Sequence, residues 1–301
     1  MRSEPGTFYV VATPIGNLED MTHRAVRILG EVDLIAAEDT RAAQVLLQHY
    51  SLRRPLVSYH DFNEDERAEN LIEQLRAGKS IALISQAGSP GVSDPGYRIV
   101  QRCHELGIRV TVVPGPSAVL TALVASGLAV DRFYFAGFPP RTEGKRLEDF
   151  ARLRTLDATL VFFESPLRLA RTLGDLAKAL GSRQAAVCRE LTKIHEEVVR
   201  GSLAELAARY EKTPPKGEVT LVVEGARGTP EEPVDLAEAV RAELARGKGP
   251  KEIAAELALR TGSPRRRIYQ LALALKGKEK QGADEQAANT PQAGTQDTDR
   301  T

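Results

Sequence analysis

The sequence predicts an α/β protein with two α/β domains, the first built on a mostly parallel sheet covered by helices on both faces. Short apolar runs typical of strands buried on both faces, such as Ile81-Ala82-Leu83-Ile84, recur along the chain. Stretches of helical length separate these runs. Loops rich in glycine, proline or polar residues follow the runs, and in open α/β sheets the carboxyl ends of strands form the ligand crevice.

The predicted first domain, residues 1–116, alternates strand and helix. Its strands are expected at residues 7–12, 32–37, 56–59, 81–84 and 109–113, with helices at 22–29, 40–50, 64–77 and from about 94. Asp39 or Thr40 is placed to cap the second helix, because a short polar side chain accepts hydrogen bonds from the free amides there. Asp94 followed by Pro95 predicts the start of a later helix in the same way.

The loop at residues 85–96 is the expected ligand loop. It contains three glycines and two prolines, which is more than an ordinary strand-to-helix turn requires. Glycine lets the backbone approach a ligand closely, and free amides bind polar groups. A plain turn is the alternative interpretation.

The predicted second domain, residues 117–227, begins with a helix that ends near Ser126. Its strands are expected at 133–137, 159–163, 184–191, 198–202 and 219–223, with helices at 145–153, 167–180 and 203–209. These strands lie closer together in sequence, so some pairs should be antiparallel.

Residues 228–276 form a predicted helix-turn-helix-like segment for RNA binding, after a linker at 228–233. Helices are expected at 236–245, 251–260 and 264–275, with Ser263 as a cap and Pro264 as the first helical residue. Arg265, Arg266 and Arg267 open the last helix and favour contacts with RNA phosphates, although a charged face is often merely solvated. Residues 277–301 have little to bury and are predicted to be a disordered tail.

The composition bears on both the class of protein and its cellular compartment. The chain has 41 basic and 41 acidic residues, which argues against a uniformly basic nucleic-acid binder but not against a local basic patch. Cys103 and Cys188 give no metal-ligand spacing and suggest buried thiols in a reducing compartment. The polar residues 1–6 predict no signal peptide, and no apolar run is long enough to span a membrane, so a cytoplasmic protein is expected.

Seven motifs occur in order along residues 7–225. They are TPIGNL (13–18), AEDTR (37–41), SYH (58–60), SQAGSPGVSDPG (85–96), PGPSA (114–118), FFESP (162–166) and RELTK (189–193). The series resembles the 16S rRNA (cytidine-2′-O)-methyltransferase family, within the tetrapyrrole-methylase-like superfamily. One such motif is weak evidence, whereas seven in order are specific.

The resemblance implies S-adenosylmethionine bound folded in the cleft between the two α/β domains, and a homodimer. It implies methylation of the ribose 2′-hydroxyl of a cytidine in the decoding region of 16S rRNA, within the small ribosomal subunit. The family loop reads Ser-Asp-Ala-Gly-Thr-Pro, and this chain has Gln86 and Ser89 at the Asp and Thr positions. Ser89 keeps the hydroxyl, whereas Gln86 can form hydrogen bonds but carries no charge.

Small residues and backbone amides at strand ends suit a folded nucleotide-like ligand. The predicted cofactor contacts are Pro14, Gln86, Ala87, Gly88, Ser117, Ala118 and Phe163. The five histidines lie far apart without ligand spacing, so no metal site is expected.

A ribose hydroxyl is a poor nucleophile, so a general base or a group that stabilises the developing alkoxide is expected. The charged candidates at strand ends are Glu38, Asp39, Arg41, His60, Glu164, Glu190 and Lys193. Asp39, His60 and Glu38 are the preferred catalytic candidates, and Arg41 is a candidate for phosphate binding. The structural alternatives are a helix cap for Asp39, pairing of Arg41 with Glu38, and a structural His60. An ion network between the domains is expected to be formed by Glu164, Glu190 and Lys193.

Two other functions compete with the rRNA methyltransferase. One is a methyltransferase for a tetrapyrrole or another small molecule, which gives no use for the arginine-rich helical segment. The other is a non-catalytic nucleic-acid-binding regulator, which would not need glycine- and proline-rich loops at the strand ends.

Overall fold

A computed structural model describes the backbone of residues 4–60, 64–226, 236–261 and 265–288, with side chains except at 65, 258–261 and 277–288. The chain divides into two compact units, residues 1–226 and 227–301. The first unit contains both sheets and the second contains only helices among its described residues. The predicted α/β class with a helical C-terminal segment is therefore confirmed.

The first sheet is entirely parallel. Its strands are β1 (Phe8–Val11), β2 (Leu34–Ala37), β3 (Leu56–Ser58), β4 (Ile81–Ile84) and β5 (Val110–Val113), in the order β3-β2-β4-β1-β5. Its connecting helices are α1 (His23–Glu31), α2 (Thr40–His49), α3 (Glu64–Arg76) and α4 (Tyr97–Glu105). β1 and β4 are neighbours at the centre of this order, with Phe8 opposite Ile81.

Helices cover both faces of the first sheet, which explains the continuous apolar pattern of its strands. On one face, α1 and α2 pack Leu29 and Leu47 against the sheet. On the other face, α3 and α4 pack Leu71 and Ile99. The predicted strand and helix alternation is confirmed throughout this half of the chain.

One helix start differs from the prediction. Asp94 and Pro95 precede the helix, and α4 begins at Tyr97 with Gly96 at its N-cap and no side-chain cap. Gly96 has φ 139°, and a Cβ there would lie 2.8 Å from a Leu83 methyl carbon. The loop therefore continues to the one residue that can adopt this conformation against β4.

The second sheet is mixed. Its strands are β6 (Phe133–Phe135), β7 (Thr159–Glu164), β8 (Gln184–Arg189), β9 (Glu197–Ser202) and β10 (Val219–Val223), in the order β6-β7-β10-β8-β9. Only the β6–β7 pair is parallel, so the expected antiparallel pairs are confirmed.

Helices also cover both faces of the second sheet. The helix α5 (Ala118–Ser126) packs Ala122 and Leu123 against it, together with Val161 and Val222. The predicted domain boundary at 116/117 falls immediately before this helix. The opposite face is covered by α6 (Glu143–Arg152), α7 (Leu169–Leu180) and α8 (Leu203–Lys212).

A buried ion pair joins α6 to α7. Arg146 and Asp175 have side-chain exposures of 6% and 5% and are in direct contact. The Arg146 guanidinium also donates to the carbonyl oxygens of Pro140 and Arg141, both at 3.1 Å. Lys178 Nζ lies 3.0 Å from the same carboxylate. This network satisfies charges that would be costly to bury alone.

The helical unit comprises α9 (Leu236–Ala245), α10 (Pro250–Thr261) and α11 (Arg265–Ala288). Its core is formed by Val240, Ile253, Leu257, Ile268 and Ala272. The final helix extends beyond the predicted start of the tail at residue 277, because alanine, lysine, glutamate and glutamine favour helix without burial. The linker at 228–233, the predicted Ser263 cap with Pro264, and residues 289–301 lie outside the described residues. Across the described helices, none is long and apolar enough to span a membrane.

Candidate active site

The loops after β1 and β4 meet at the carboxyl edge of the first sheet. These central strands lead to helices on opposite faces, an arrangement that opens a crevice between their ends. The Thr13 amide donates to the Gly88 carbonyl at 2.8 Å, and the Gly88 amide donates to the Thr13 carbonyl at 3.1 Å. The Thr13 hydroxyl also donates to the Ser85 carbonyl at 3.3 Å. The two loops are thereby fixed to each other at the base of the site.

A cavity of about 390 Å³ opens above these loops. Its walls come from the loop after β4, the start of α5, the end of β7 and the start of β10. Ser117 caps α5 by accepting from the Leu120 amide at 3.4 Å, so the positive end of this helix faces the cavity. Phe163 lines the opposite side and packs edge-to-face on Phe135, with ring centroids 4.9 Å apart. The cavity therefore combines apolar walls with backbone donors, as small-molecule sites do.

A second cavity of about 240 Å³ adjoins the first. It is lined by the 13–18 loop, the first turns of α2, Gln86 and Lys193. The two cavities share Ile15, Ala87 and Glu218 in their linings. The two cavities are therefore adjacent and meet at these three residues.

Lys193 joins two carboxylates at the smaller cavity. Its Nζ lies 2.8 Å from Glu190 Oε1 and 3.0 Å from Glu218 Oε2. Partial burial opposes the charge on Lys193, but its hydrogen bonds to the two carboxylates prevail and raise its pKa. The hydrogen bond from Lys193 lowers the pKa of Glu190, with help from the Glu218 backbone amide. Lys193 is therefore a protonated ammonium at neutral pH.

The segment that carries this cluster is conformationally strained. Glu190 and Thr192 both adopt left-handed backbone conformations, with φ of 52° and 68°. Such conformations are costly for residues other than glycine, and they concentrate at functional sites. The Lys193 stem also packs on Gly16, where a Cβ would lie 2.5 Å from Lys193 Cγ. The ammonium is therefore held in one place.

Glu164 and Cys188 line the larger cavity but are engaged elsewhere. Glu164 is buried, accepts hydrogen bonds from the Thr172 hydroxyl and the Ser165 amide, and lies 3.4 Å from Arg168. Burial raises the pKa of the Cys188 thiol to about 12, so this thiol is protonated. The expected inter-domain network is thus wrong in its membership: Glu190 and Lys193 do pair, but both belong to the second predicted domain, and Glu164 has other partners.

The structure divides the predicted cofactor contacts between the two cavities. The larger cavity is lined by Ala87, Gly88, Ser117, Ala118 and Phe163. The smaller cavity is lined by Pro14, Gln86 and Ala87. All seven residues chosen from the sequence therefore line one or both of the adjoining cavities.

The predicted catalytic residues are not among the residues that line the two cavities. Asp39 Oδ1 caps α2 by accepting from the Arg41 and Ala42 amides at 2.7 and 3.3 Å. Glu38 Oε2 accepts from the Gln86 amide at 3.3 Å. The Arg41 side chain is exposed at the start of α2, and His60 is half-buried at the end of β3. Asp61, the expected partner of His60, lies outside the described residues.

Glu218 was not identified from the sequence. It precedes β10, which runs antiparallel to β7 and β8, so that Val219 lies opposite Glu164 and Arg189. The amino end of β10 therefore reaches the same edge as the carboxyl ends of its neighbours. The Gly217-Glu218 pair before a buried strand was the available signal. Among the described side chains, no three potential metal ligands come together.

Residues 7–207 match the family model for Tetrapyrrole (Corrin/Porphyrin) Methylases. Ribosomal RNA small subunit methyltransferase I of Synechocystis sp. is 46% identical over 276 residues, 90% of this chain and 98% of the relative. The protein of the same name from Mesorhizobium japonicum is 47% identical over 270 residues, 89% of this chain and 92% of the relative. The Thermotoga maritima protein of that name is 44% identical over 220 residues, 73% of this chain and 99% of the relative.

Solved structures resemble the chain as well. Uroporphyrin-III C-methyl transferase from Thermus thermophilus, complexed with S-adenyl homocysteine, has a TM-score of 0.51 at 24% identity. The alignment covers 73% of this chain and 97% of that one. A likeness at this identity shows a shared fold.

Proposed function

The chain belongs to the ribosomal RNA small subunit methyltransferase I family of the tetrapyrrole methylases, and from this membership we propose its reaction. It transfers a methyl group from S-adenosylmethionine to the ribose 2′-hydroxyl of a cytidine in the decoding region of 16S rRNA. The observation that carries the proposal is the likeness to the Synechocystis relative over nine-tenths of this chain. The resemblance that the seven ordered motifs carry implies the ribose 2′-oxygen as the atom that receives the methyl group.

S-adenosylmethionine binds in the larger cavity. Its volume of about 390 Å³ suits a ligand of that size, since such sites hold roughly 300–1,000 Å³. The contacts are the α5 start with Ser117 and Ala118, the Ala87–Gly88 backbone and the Phe163 ring. Pro14 and Gln86 approach from the adjoining cavity. A solved neighbour of the same fold is complexed with S-adenyl homocysteine, the product that this transfer leaves.

The partner is 16S rRNA within the small ribosomal subunit, and the setting is the cytoplasm. Arg265, Arg266 and Arg267 are exposed at the start of α11, and Arg41 is exposed at the start of α2. Exposed guanidinium groups favour phosphate contacts because they offer several donors in a fixed geometry.

The protein works as a homodimer. Tyr97 and Val112, which are exposed by 71% and 62%, line the same apolar pocket on the α/β unit. Exposed apolar surface of this kind is typical of surfaces covered by another protein.

The test is methyl transfer from labelled S-adenosylmethionine to three acceptors: small ribosomal subunits, free 16S rRNA and a porphyrinoid. We expect label in the rRNA, in a dinucleotide that resists alkali because its 2′-oxygen is blocked. Label in the porphyrinoid would support the small-molecule methyltransferase. RNA binding without transfer to any acceptor would support the non-catalytic regulator.

A further inference from the structure

The two cavities meet at a single side chain that can take up a proton. Of the lining residues that they share, Ile15 and Ala87 are apolar and Glu218 is a carboxylate. Methyl transfer requires the acceptor oxygen, the methyl carbon and the sulfur in line. With the cofactor in the larger cavity and the acceptor nucleoside in the smaller one, the reacting atoms meet at this shared wall.

Glu218 is accessible and held in place. Its side chain is 73% exposed, whereas Lys193 is 27% exposed and binds Glu218 Oε2 at 3.0 Å. The Glu218 backbone amide donates to Glu190 Oε1 at 2.9 Å, which fixes the start of β10. Because an ionised carboxylate accepts several hydrogen bonds, Glu218 can bind Lys193 and an acceptor hydroxyl together.

The other titratable groups in the two linings are poorly placed to remove a proton. Glu164 is hydrogen-bonded inside the second sheet, and the Cys188 thiol is protonated because burial raises its pKa. Asp94 lines only the larger cavity, on the cofactor side. Lys193 is a protonated ammonium and cannot accept.

We infer that Glu218 is the catalytic residue that accepts the proton of the acceptor hydroxyl, and that Lys193 positions it. The inference rests on the proposed function. The ribose oxygen forms a bond to the methyl carbon, and the carbon–sulfur bond breaks with its electron pair going to sulfur. S-adenosylhomocysteine is released, and the hydroxyl proton moves to the Glu218 carboxylate and then to solvent. The Lys193 ammonium lies beside this carboxylate and offsets negative charge that develops on the oxygen.

The first test compares Glu218→Gln with Glu211→Gln, which removes the same charge from an exposed position on α8 outside both cavities. Single-turnover methylation of small ribosomal subunits should fall roughly 10²- to 10⁴-fold in Glu218→Gln, the usual contribution of proton transfer. The glutamine oxygen still accepts from Lys193, so the loss reports the missing base. The cofactor Kd by calorimetry should stay within about twofold.

The second test uses Glu218→Ala with added formate, a small carboxylate that fits the space left by the side chain. Formate should restore part of the rate in Glu218→Ala in proportion to its concentration and do nothing to Glu211→Ala. Lys193→Met should lower kcat more than it raises KM for the subunit, as a positioning role requires. Circular dichroism and thermal unfolding confirm that each variant is folded.

The outcomes separate the inference from the function on which it rests. A wild-type protein that leaves rRNA unmethylated overturns the proposed function. Active wild-type protein with Glu218→Gln as fast as Glu211→Gln overturns the role of Glu218. If Glu218→Gln fails to fold, the formate series decides, and absence of rescue in folded Glu218→Ala rejects the proton-acceptor role.

Discussion

Single residues of the larger cavity are constrained by both conformation and space, and Gly88 is the clearest case. Its φ is 79°, and a side chain there would project toward Ile15 in the cavity wall. Gly88→Val should weaken S-adenosylmethionine binding at least tenfold, about 1.4 kcal/mol, by calorimetry. Gly107→Val is the matched control, because Gly107 has φ 67° and nothing lies within 4 Å of a Cβ there. Equal cofactor affinity in the two variants would place the cofactor elsewhere.

Asp39 is expected to act as a helix cap. Its carboxylate accepts from the amides of Arg41 and Ala42, so Asp39→Ala should reduce the free energy of unfolding by about 1 kcal/mol in urea titrations. Asp39→Asn should keep most of the stability, because asparagine caps equally well. Both folded variants should methylate at nearly the wild-type rate. A folded Asp39→Asn protein without activity would instead support the catalytic role predicted from the sequence.

The sequence predicted residues that line the larger cavity better than the residue that joins it to the smaller one. Small residues after parallel strands have a local signature, and five of the predicted contacts line the larger cavity. Glu218 had no such signature, because it lies at the amino end of a strand. Only the antiparallel pairing of β10 with β7 and β8 brings it to the wall shared by the two cavities. That pairing connects residues far apart in sequence, which local patterns do not encode.

At the scale of helices and strands, the strands were predictable and some helix ends were not. Strands buried on both faces are continuous apolar runs, and these stand out in any sequence. The start of α4 depends on the contact of Gly96 with Leu83, which exists only in the folded protein. The extension of α11 to Ala288 reflects helix propensity, which a search for apolar faces overlooks.

The contact between α6 and α7 depends on the buried Arg146–Asp175 pair. Asp175→Ala should lower the free energy of unfolding by about 3–5 kcal/mol, because Arg146 is left buried without its counter-charge. Asp157→Ala is the control: its pair with Arg132 is 74% and 70% exposed and should contribute about 0–1 kcal/mol. Urea titrations at neutral pH measure both. Similar losses in the two variants would contradict the structural role given to burial.

The same pair predicts how stability depends on pH. Burial opposes the charge on Asp175, but hydrogen bonds from Arg146 and Lys178 prevail and lower its pKa in the folded protein. The stabilisation is therefore complete above the unfolded pKa of aspartate and is lost as the pH falls through the folded pKa. The difference in stability between wild type and Asp175→Ala should shrink in acid. If the stability difference between the two proteins grew in acid, the lowered pKa of Asp175 would be contradicted.

At the scale of the whole molecule, the chain consists of the α/β unit and the helical unit. The α/β unit ends at Ala226, and the Thermotoga maritima relative is about as long as this unit alone. The chemistry is therefore expected to reside in residues 1–226, and the helical unit is expected to contribute to RNA binding.

Replacing Arg265, Arg266 and Arg267 by alanine tests this division. Glu256, on the preceding helix α10, is already paired with Lys248 at 2.6 Å. Affinity for small ribosomal subunits should fall. The slope of the logarithm of the binding constant against the logarithm of the salt concentration should become shallower by roughly 0.7–0.9 for each lost phosphate contact. Cofactor affinity should stay unchanged. Subunit binding is measured over a series of salt concentrations for the wild type and the triple variant, together with cofactor titrations. An unaltered slope with normal methylation would show that the arginines form only a solvated face.

The central position of β10 also determines when the α/β unit can complete its fold during synthesis. The last strand of the first sheet ends at Val113, so that sheet can form while the second half is still being translated. The second sheet has to wait for Val223, because β10 lies between β7 and β8. Until then the nascent chain carries two separate strand pairs, β6–β7 and β8–β9, each with an apolar edge open to other chains. We therefore expect a nascent chain that is paused before residue 219 to be prone to aggregation until β10 joins the sheet.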